Sequence, residues 1–438
     1  MIPQGKTARQ VAVTASNSST FGEHQEKDKT SSARFSVMLG GTFMVAGTAI
    51  GAGMLGLPVR TAAGGFFPSV ALLILVWAVM TFTALAMLEV ALSCPGETNL
   101  ITMATRYLGP WGGRIVWLCY LFFLYSVMAA YTAGGTTMVA DLCAIPLHRH
   151  PVPLPAAMAA FALPFALLVY RGARWVDIAN RCLVILFAAA FGMIIYFVSD
   201  GGTGAIPADG NPKYLPAAFP LLVTSFGFHL LIPTLKTYMK ENVARLRAAV
   251  IAGSLVPLLA YLVWQYIVMT SIPAGGPGGL VSMLLSDANP GELVMEAMGR
   301  GRGMKFSVAL FSIMALSSSF AGVSLGIFDF FADGLSIRKN SRGRITLCVF
   351  TFLPPLLYAL IAPGGFMAAL NYAGIFASVL LIVYPVLMAW RRRYVEQAAG
   401  GYQVAGGRTG LAIAFLFGVG VILLDIACQV HLLPVPHL

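Results

Sequence analysis

The sequence predicts an all-α integral membrane protein with eleven membrane-spanning helices, two of them interrupted near mid-depth. The first observation is composition: 58% of the 438 residues are hydrophobic and 10% are charged, and the mean hydropathy is +0.81. Soluble domains carry about 25% charged residues, so this chain cannot cover a water-soluble surface of its size. The second is a recurrence of apolar segments of about 20 residues, the length that crosses a bilayer. The third is a concentration of glycine and proline in the first and sixth of these segments.

A polar segment precedes the first apolar one. Residues 1–33 are rich in Ser, Thr, Gln and Lys and lack the apolar centre of a signal peptide, so we predict a disordered cytoplasmic tail there. The eleven spans that follow are predicted at 36–59, 67–92, 115–140, 153–170, 179–198, 215–238, 248–272, 306–331, 345–361, 366–390 and 411–433.

The basic residues give the orientation. Of the 28 Lys and Arg residues, 22 fall in loops on one side of this arrangement. The six on the other side are Arg60, Arg149, Lys213, Arg300, Arg302 and Lys305. The positive-inside rule then places the N-terminus in the cytoplasm and, after eleven spans, the C-terminus outside. This asymmetry explains the net charge of +11 without a nucleic-acid partner. We expect the protein to be embedded in the lipid bilayer and to have no obligate protein partner.

The first span contains four glycines within 47–56, and Pro58 follows them. Glycine and proline disfavour a helix interior by about 1 and about 3 kcal/mol relative to alanine. In hydrocarbon, freed backbone groups are tolerated only where protein buries them or where they line a wet cavity. We therefore predict a helix broken at mid-depth with its main chain facing a cavity. Close packing against a neighbouring helix is the alternative use of the same glycines.

The sixth span repeats this interrupted character. Gly227 lies between Pro220 and Pro233, with a hydroxyl and an imidazole close in sequence. Because five spans precede it and five is odd, a second set of five enters the membrane from the opposite side. Interrupted helices at equivalent positions of two inverted halves indicate a transporter binding site. We predict repeats at 34–199 and 200–390, with a cytoplasmic loop and an eleventh helix at 391–438.

Seven motifs occur in order along the spans. They are VAGTAIGAGML at 45–55, TALAMLEV at 83–90, AY at 130–131, TSFGFH at 224–229, LGIFD at 325–329, FLPPL at 352–356 and NYAG at 371–374. With these motifs, nearly everything from residue 36 onward resembles the hydroxy and aromatic amino acid permeases, in particular their tyrosine- and tryptophan-specific branch. That family belongs to the amino acid–polyamine–organocation superfamily.

The resemblance implies a LeuT-type fold, two inverted five-helix repeats with discontinuous helices 1 and 6, to which the eleventh helix is added. It also implies import of tyrosine and/or tryptophan by proton symport across the bacterial cytoplasmic (inner) membrane. A transporter of serine or threonine and a sodium-coupled symporter are the alternatives within the class.

The first break offers complements for both charges of an amino acid. The outer half-helix begins near Gly51, Ala52 and Gly53, where free N–H groups and the positive dipole end suit a carboxylate. The inner half ends near Gly47 and Thr48, whose carbonyl groups suit an ammonium group. Glycine also lets the ligand approach the backbone.

The sixth and third spans supply candidates for an aromatic pocket. Carbonyl groups of Thr224, Ser225 and Phe226 can add to the ammonium site. Phe226 and Phe228 flank Gly227 and suit an aromatic substrate. Tyr131 is a candidate wall residue. Ordinary packing is the alternative for the phenylalanines, and interhelical hydrogen bonding for the tyrosine.

Proton coupling directs attention to titratable groups inside spans. His229 is the first candidate, because the pKa of a free imidazole, about 6.5, suits proton exchange; a neutral histidine bonded to a neighbouring helix is its alternative. Glu89 is the second, and an ion pair with a loop arginine is its alternative.

Sodium is the competing coupling ion. Related folds hold it against hydroxyl groups of the eighth span, where Ser317, Ser318 and Ser319 lie. On the tenth span, Asn371 and Tyr372 are candidate gate residues.

Other classes of protein find less support. Asp329 and Asp333 lie four residues apart on one helix face, as in the metal site of an intramembrane transferase. Such sites need more carboxylates to hold the metal. Basic residues nearby favour an ion-pair cluster instead. The cysteines show no paired spacing. We predict no enzymatic activity, no metal and no cofactor. A membrane amino acid sensor is the alternative of a different class.

Overall fold

The computed structural model describes residues 37–430, with gaps at 52, 97, 145–151, 202–205, 207–209, 286–292, 295–296, 299–301 and 398–399, together with residue 432. The tail predicted at 1–33 lies outside these residues, and so does Ala52.

The described residues form helices joined by short connections, without β-strands among them. The helices are α1 Val37–Ala49, α2 Gly53–Thr61, α3 Phe66–Leu92, α4 Leu100–Ala144, α5 Leu154–Arg171, α6 Ala173–Gly201, α7 Phe219–Ser225, α8 Ile232–Tyr238, α9 Val243–Ser271, α10 Leu280–Leu284, α11 Arg302–Gly334, α12 Ser341–Ile361, α13 Phe366–Ala377, α14 Tyr384–Trp390 and α15 Gly407–Gln429.

Among the described residues, ten segments are long and apolar enough to cross a membrane, and the count is eleven when the bent pair α1 and α2 is taken as one span. The predicted span count and positions are therefore confirmed. The pair α7 and α8 is counted as one span, the sixth, and α13 and α14 as the tenth, joined by the π-helical turn Ser378–Val383. The α4 helix is interrupted at Gly109, which has a φ of +79° and is followed by Pro110. The part of α4 before Gly109 is therefore a short separate helix that leads into the third span.

The spans pack as two groups. The first, second, sixth and seventh contact one another through α2, α3, α7, α8 and α9. Around them, α11 packs along α4, α5, α6 and α12, while α13 packs against α4 and α7. The first group contains positions one and two of each predicted five-helix repeat, the arrangement that an inverted repeat produces.

Glycines allow the closest helix approaches. A Cβ atom on Gly253 of α9 would lie 2.8 Å from the carbonyl oxygen of Thr42 on α1. A Cβ atom on Gly374 of α13 would lie 2.6 Å from the Cα atom of Pro220 at the start of α7. Both contacts are with backbone, so no larger residue fits without moving a helix.

A buried lysine fixes the C-terminal end of the sixth span. Lys236 Nζ donates to the carbonyl oxygens of Cys94 at 2.6 Å and Gly96 at 3.1 Å, and it lies 3.2 Å from Glu241. The ammonium group therefore satisfies two backbone carbonyls in the turn that follows α3.

Candidate functional site

Both predicted breaks are present. The axes of α1 and α2 differ by 57°. Among the described residues, Ile50 N donates to Ala46 O at 2.9 Å before the break, and Met54 N donates to Gly51 O at 3.0 Å after it. The second break follows α7, where Gly227 N donates to Thr224 O at 3.1 Å.

One hydroxyl group joins the two breaks. Tyr261 on α9 donates to Ala49 O at 2.7 Å and to Ser225 O at 2.9 Å, as a shared hydrogen bond. These carbonyls belong to the last residues of α1 and α7. The two interruptions therefore lie side by side around a buried phenol. No sequence motif marks Tyr261, because its neighbours in sequence are ordinary apolar residues of the seventh span.

Two glycines of the first break each face a serine. A Cβ atom on Gly53 would lie 2.6 Å from Ser225 Oγ, and one on Gly51 would collide with Ser319 Oγ. Tyr131 is hydrogen-bonded to Ser319. The predicted residues Gly51, Gly53, Ser225 and Tyr131 are thus brought together. Ser319 joins them, whereas Ser317 and Ser318 do not.

The other two serines of that run lie more than 4 Å from the Cβ position of Gly51. Ser317 is buried, and Ser318 donates to Asn180 Oδ1 at 2.7 Å, which connects α11 to α6. Only the third serine of the run faces the break.

Two glycines near the contact between Gly51 and Ser319 have open space around them. Gly47 lies one turn before Gly51, and Gly322 lies one turn after Ser319, and neither would bring a Cβ atom within 4 Å of another atom. Because the first and eighth spans run in opposite directions, these open positions lie on the same side of the contact. Thr48 is also exposed there, with its hydroxyl bonded to Met44 O at 2.7 Å.

The two phenylalanines around Gly227 are fully buried. Phe226 meets the ring of Tyr261 edge-on at 5.2 Å, and Phe228 lies 5.1 Å from the ring of His229. Both rings already contact another ring of the protein. A substrate ring that packs against them would therefore add a contact rather than fill an empty place.

His229 is fully buried beside the second break. Its Nε2 atom is 2.9 Å from Thr83 Oγ1, and that hydroxyl also lies 3.2 Å from Met80 O. When the threonine donates to Met80, its oxygen accepts the imidazole N–H. The histidine is therefore anchored to the second span.

Glu89 lies in a fully buried ion cluster. Its carboxylate accepts hydrogen bonds from Arg392 Nη1 at 2.9 Å, from Arg393 Nε at 2.7 Å and Nη2, and from Val404 N at 2.9 Å. This arrangement favours the predicted ion pair over a carrier role. The exposed Asp329 likewise pairs with Lys339 at 2.8 Å, as expected for an ion-pair cluster.

The two candidates on the tenth span differ in environment. Asn371 Oδ1 is buried without a hydrogen-bond partner among the described residues, whereas Tyr372 is about half exposed. An amide oxygen without a partner is available to a ligand or a moving element.

The paired breaks within this fold define a LeuT-type membrane transporter. The solved structure of MhsT in complex with L-phenylalanine has the same fold, with a TM-score of 0.56 over 88% of this chain and 98% of that chain at 15% identity. Residues 34–425 match the tryptophan/tyrosine permease family. The chain belongs to that family, which confirms the resemblance inferred from the motifs.

Two relatives show how far the similarity extends. The tyrosine-specific transport system 2 of Haemophilus influenzae is 33% identical over 404 residues, 90% of this chain and 98% of the relative. The tryptophan-specific transport protein of Pseudomonas aeruginosa is 32% identical over 413 residues, 91% of this chain and 96% of the relative. These relatives are transport proteins rather than enzymes.

Proposed function

We propose that the protein imports tyrosine and/or tryptophan across the bacterial cytoplasmic membrane together with a proton. The family and the named specificities of its relatives support the substrate class. The observation that carries the mechanism is the pair of adjacent breaks joined by Tyr261.

The backbone bonds indicate where an amino acid would bind. The carbonyl groups of Ala46, Thr224 and Phe226 already accept backbone N–H groups, and those of Ala49 and Ser225 accept Tyr261. Each carbonyl oxygen has a second lone pair, but an ammonium group binds best where few donors compete. The open side of the first break, at Gly47 and Thr48, is therefore the favoured ammonium position.

The carboxylate position follows from the other half of the same span. The α2 helix begins at Gly53, and the N–H groups there, with the positive end of the helix dipole, suit an anion. Carboxylate and ammonium then lie on either side of Gly51. We expect the aromatic side chain to point towards Tyr131 and the sixth span.

The side chains beside the two breaks suggest which ion is coupled to transport. His229 is the candidate proton carrier, because a titratable side chain at membrane depth beside an interrupted helix is a functional group by default. One charge moved through about 100 mV supplies about 2.3 kcal/mol, which supports accumulation of roughly 1.7 decades at about 1.4 kcal/mol per decade. Ser319 beside Gly51 supports sodium as the alternative ion, because hydroxyl and carbonyl oxygens suit that cation.

Uptake into proteoliposomes tests the proposal. Purified protein is reconstituted, and radiolabelled tyrosine, tryptophan, phenylalanine and serine are offered under an imposed pH gradient, an imposed sodium gradient or neither. We expect accumulation of tyrosine or tryptophan driven by the pH gradient. Accumulation of serine alone would contradict the substrate class, and a requirement for sodium would contradict the ion. Binding without uptake would favour a sensor.

The proposed orientation has its own test. Reporter fusions at the two ends should place the N-terminus in the cytoplasm and the C-terminus outside, because most basic loop residues lie on the first side.

A further inference from the structure

The negative ends of two half-helices converge on one hydroxyl group. The carbonyl of Ala49 ends α1 and that of Ser225 ends α7, and Tyr261 donates to both. A helix C-terminus carries the equivalent of about half a negative charge. Two such ends, facing each other inside a membrane, attract positive charge.

The two carbonyl groups are also shielded from water. Tyr261 is 1% exposed, and Phe226, which covers its ring edge-on, is 0% exposed. Unwound carbonyls and half-helix C-termini are the groups that coordinate sodium ions or bind protons in transporters with broken helices. Here the same kind of oxygen pair is bonded to a phenol from a neighbouring span.

We propose that the Tyr261 hydroxyl takes the place of a coupling cation between the two breaks. Its hydrogen satisfies both carbonyls and holds the ends of α1 and α7 together without a bound ion. Tyr261 is then a residue that determines ion specificity: while its hydroxyl is present, sodium is excluded from these oxygens, and removal of the hydroxyl opens a cation site. This proposal adds an ion-specificity residue to the proposed symport. Only its uptake test rests on the proposed function; its thermal test does not.

The substitution Tyr261→Phe removes the hydroxyl and keeps the ring. The matched control is Tyr358→Phe, which also removes one bond from a tyrosine to a backbone carbonyl, that of Gly365 at 2.9 Å, but at the end of α12 away from the breaks. Membranes containing each protein are extracted and heated in sodium chloride or in choline chloride at equal ionic strength. The fraction that remains monodisperse is measured by fluorescence-detected size exclusion.

We expect Tyr261→Phe to acquire a sodium-specific rise in its thermal midpoint beyond that of the native protein, and Tyr358→Phe to respond as the native protein does. A variant that is destabilised equally in both salts would overturn the proposal, because the hydroxyl would then be merely structural. If Tyr261→Phe is not recovered, Tyr261→Asn carries the same comparison, since its amide oxygen can coordinate an ion. Failure of both variants in both salts also overturns the proposal.

Tyrosine uptake provides the second readout. In choline, Tyr261→Phe should reduce uptake by about tenfold or more, because two buried carbonyls lose their donor. Sodium should restore part of the loss. If the native protein takes up no aromatic amino acid, the proposed function fails while the thermal comparison still decides the role of Tyr261.

Discussion

Neutralising Glu89 should destabilise the protein more than any exposed charge substitution. The carboxylate is 0% exposed and the side chains of Arg392 and Arg393 are 5% and 4% exposed. Glu89 lies in the last turn of α3, where the helix dipole itself disfavours a negative charge, so the arginines stabilise a charge that the helix does not.

The magnitude follows from burial. Glu89→Leu keeps the volume but leaves two buried guanidinium groups without their anion, a loss of about 3–5 kcal/mol in the free energy of unfolding. Glu89→Gln retains one acceptor oxygen and should fall at the lower end. The control is Asp329→Asn, which breaks the pair with Lys339, in which both side chains are 45% exposed. It should cost less than about 1 kcal/mol, because solvent screens exposed pairs.

The assay is denaturant unfolding of purified protein in mixed micelles, supplemented by a mutant cycle. The combined replacement of Glu89 by Leu and of Arg392 and Arg393 by Met should recover most of the lost stability, because removing a whole buried ion cluster is often neutral. If Glu89→Leu is no less stable than Asp329→Asn, the cluster is not energetically coupled and the reasoning fails.

Four further substitutions test the site and its supports. Gly51→Leu and Gly53→Leu should abolish uptake while the protein still reaches the membrane, because each new side chain enters the space of the serine that the glycine faces; Gly420→Ala on α15, where a Cβ atom meets nothing within 4 Å, should transport normally. His229→Gln should retain stability, since an amide can keep the bond to the second span, but should lose pH-gradient-driven accumulation; full accumulation would remove the imidazole from the coupling mechanism. Lys236→Met should lower the free energy of unfolding by about 1.5–3 kcal/mol per lost charged hydrogen bond, measured in the same micelles, and an unchanged value would show that other donors replace it at the end of α3.

The sequence was sufficient for the spans and for the location of both breaks. Hydrophobic segments of bilayer length are a local property, and so is a cluster of glycines that cannot maintain a helix. For this reason Gly51, Gly53 and Gly227 were identified before any contact was known. The family followed from the same stretches, because backbone interruptions demand particular residues at particular positions.

Local pattern did not separate the three adjacent serines of the eighth span. Ser317, Ser318 and Ser319 are equivalent in composition, and the rotation of α11 against its neighbours decides that only the third faces Gly51. Nor did local pattern identify Gly322, where a Cβ atom would meet nothing within 4 Å.

The sequence by itself determined that this is an eleven-span transporter with two interrupted helices. Hydropathy and helix propensity, which decide both features, are properties of each residue and its neighbours along the chain. Only the tertiary structure decided what completes the interruptions. Tyr261 joins carbonyls 212 and 36 positions away, and Glu89 meets arginines more than 300 residues later. Such contacts depend on how whole helices pack, and no spacing within one span encodes them.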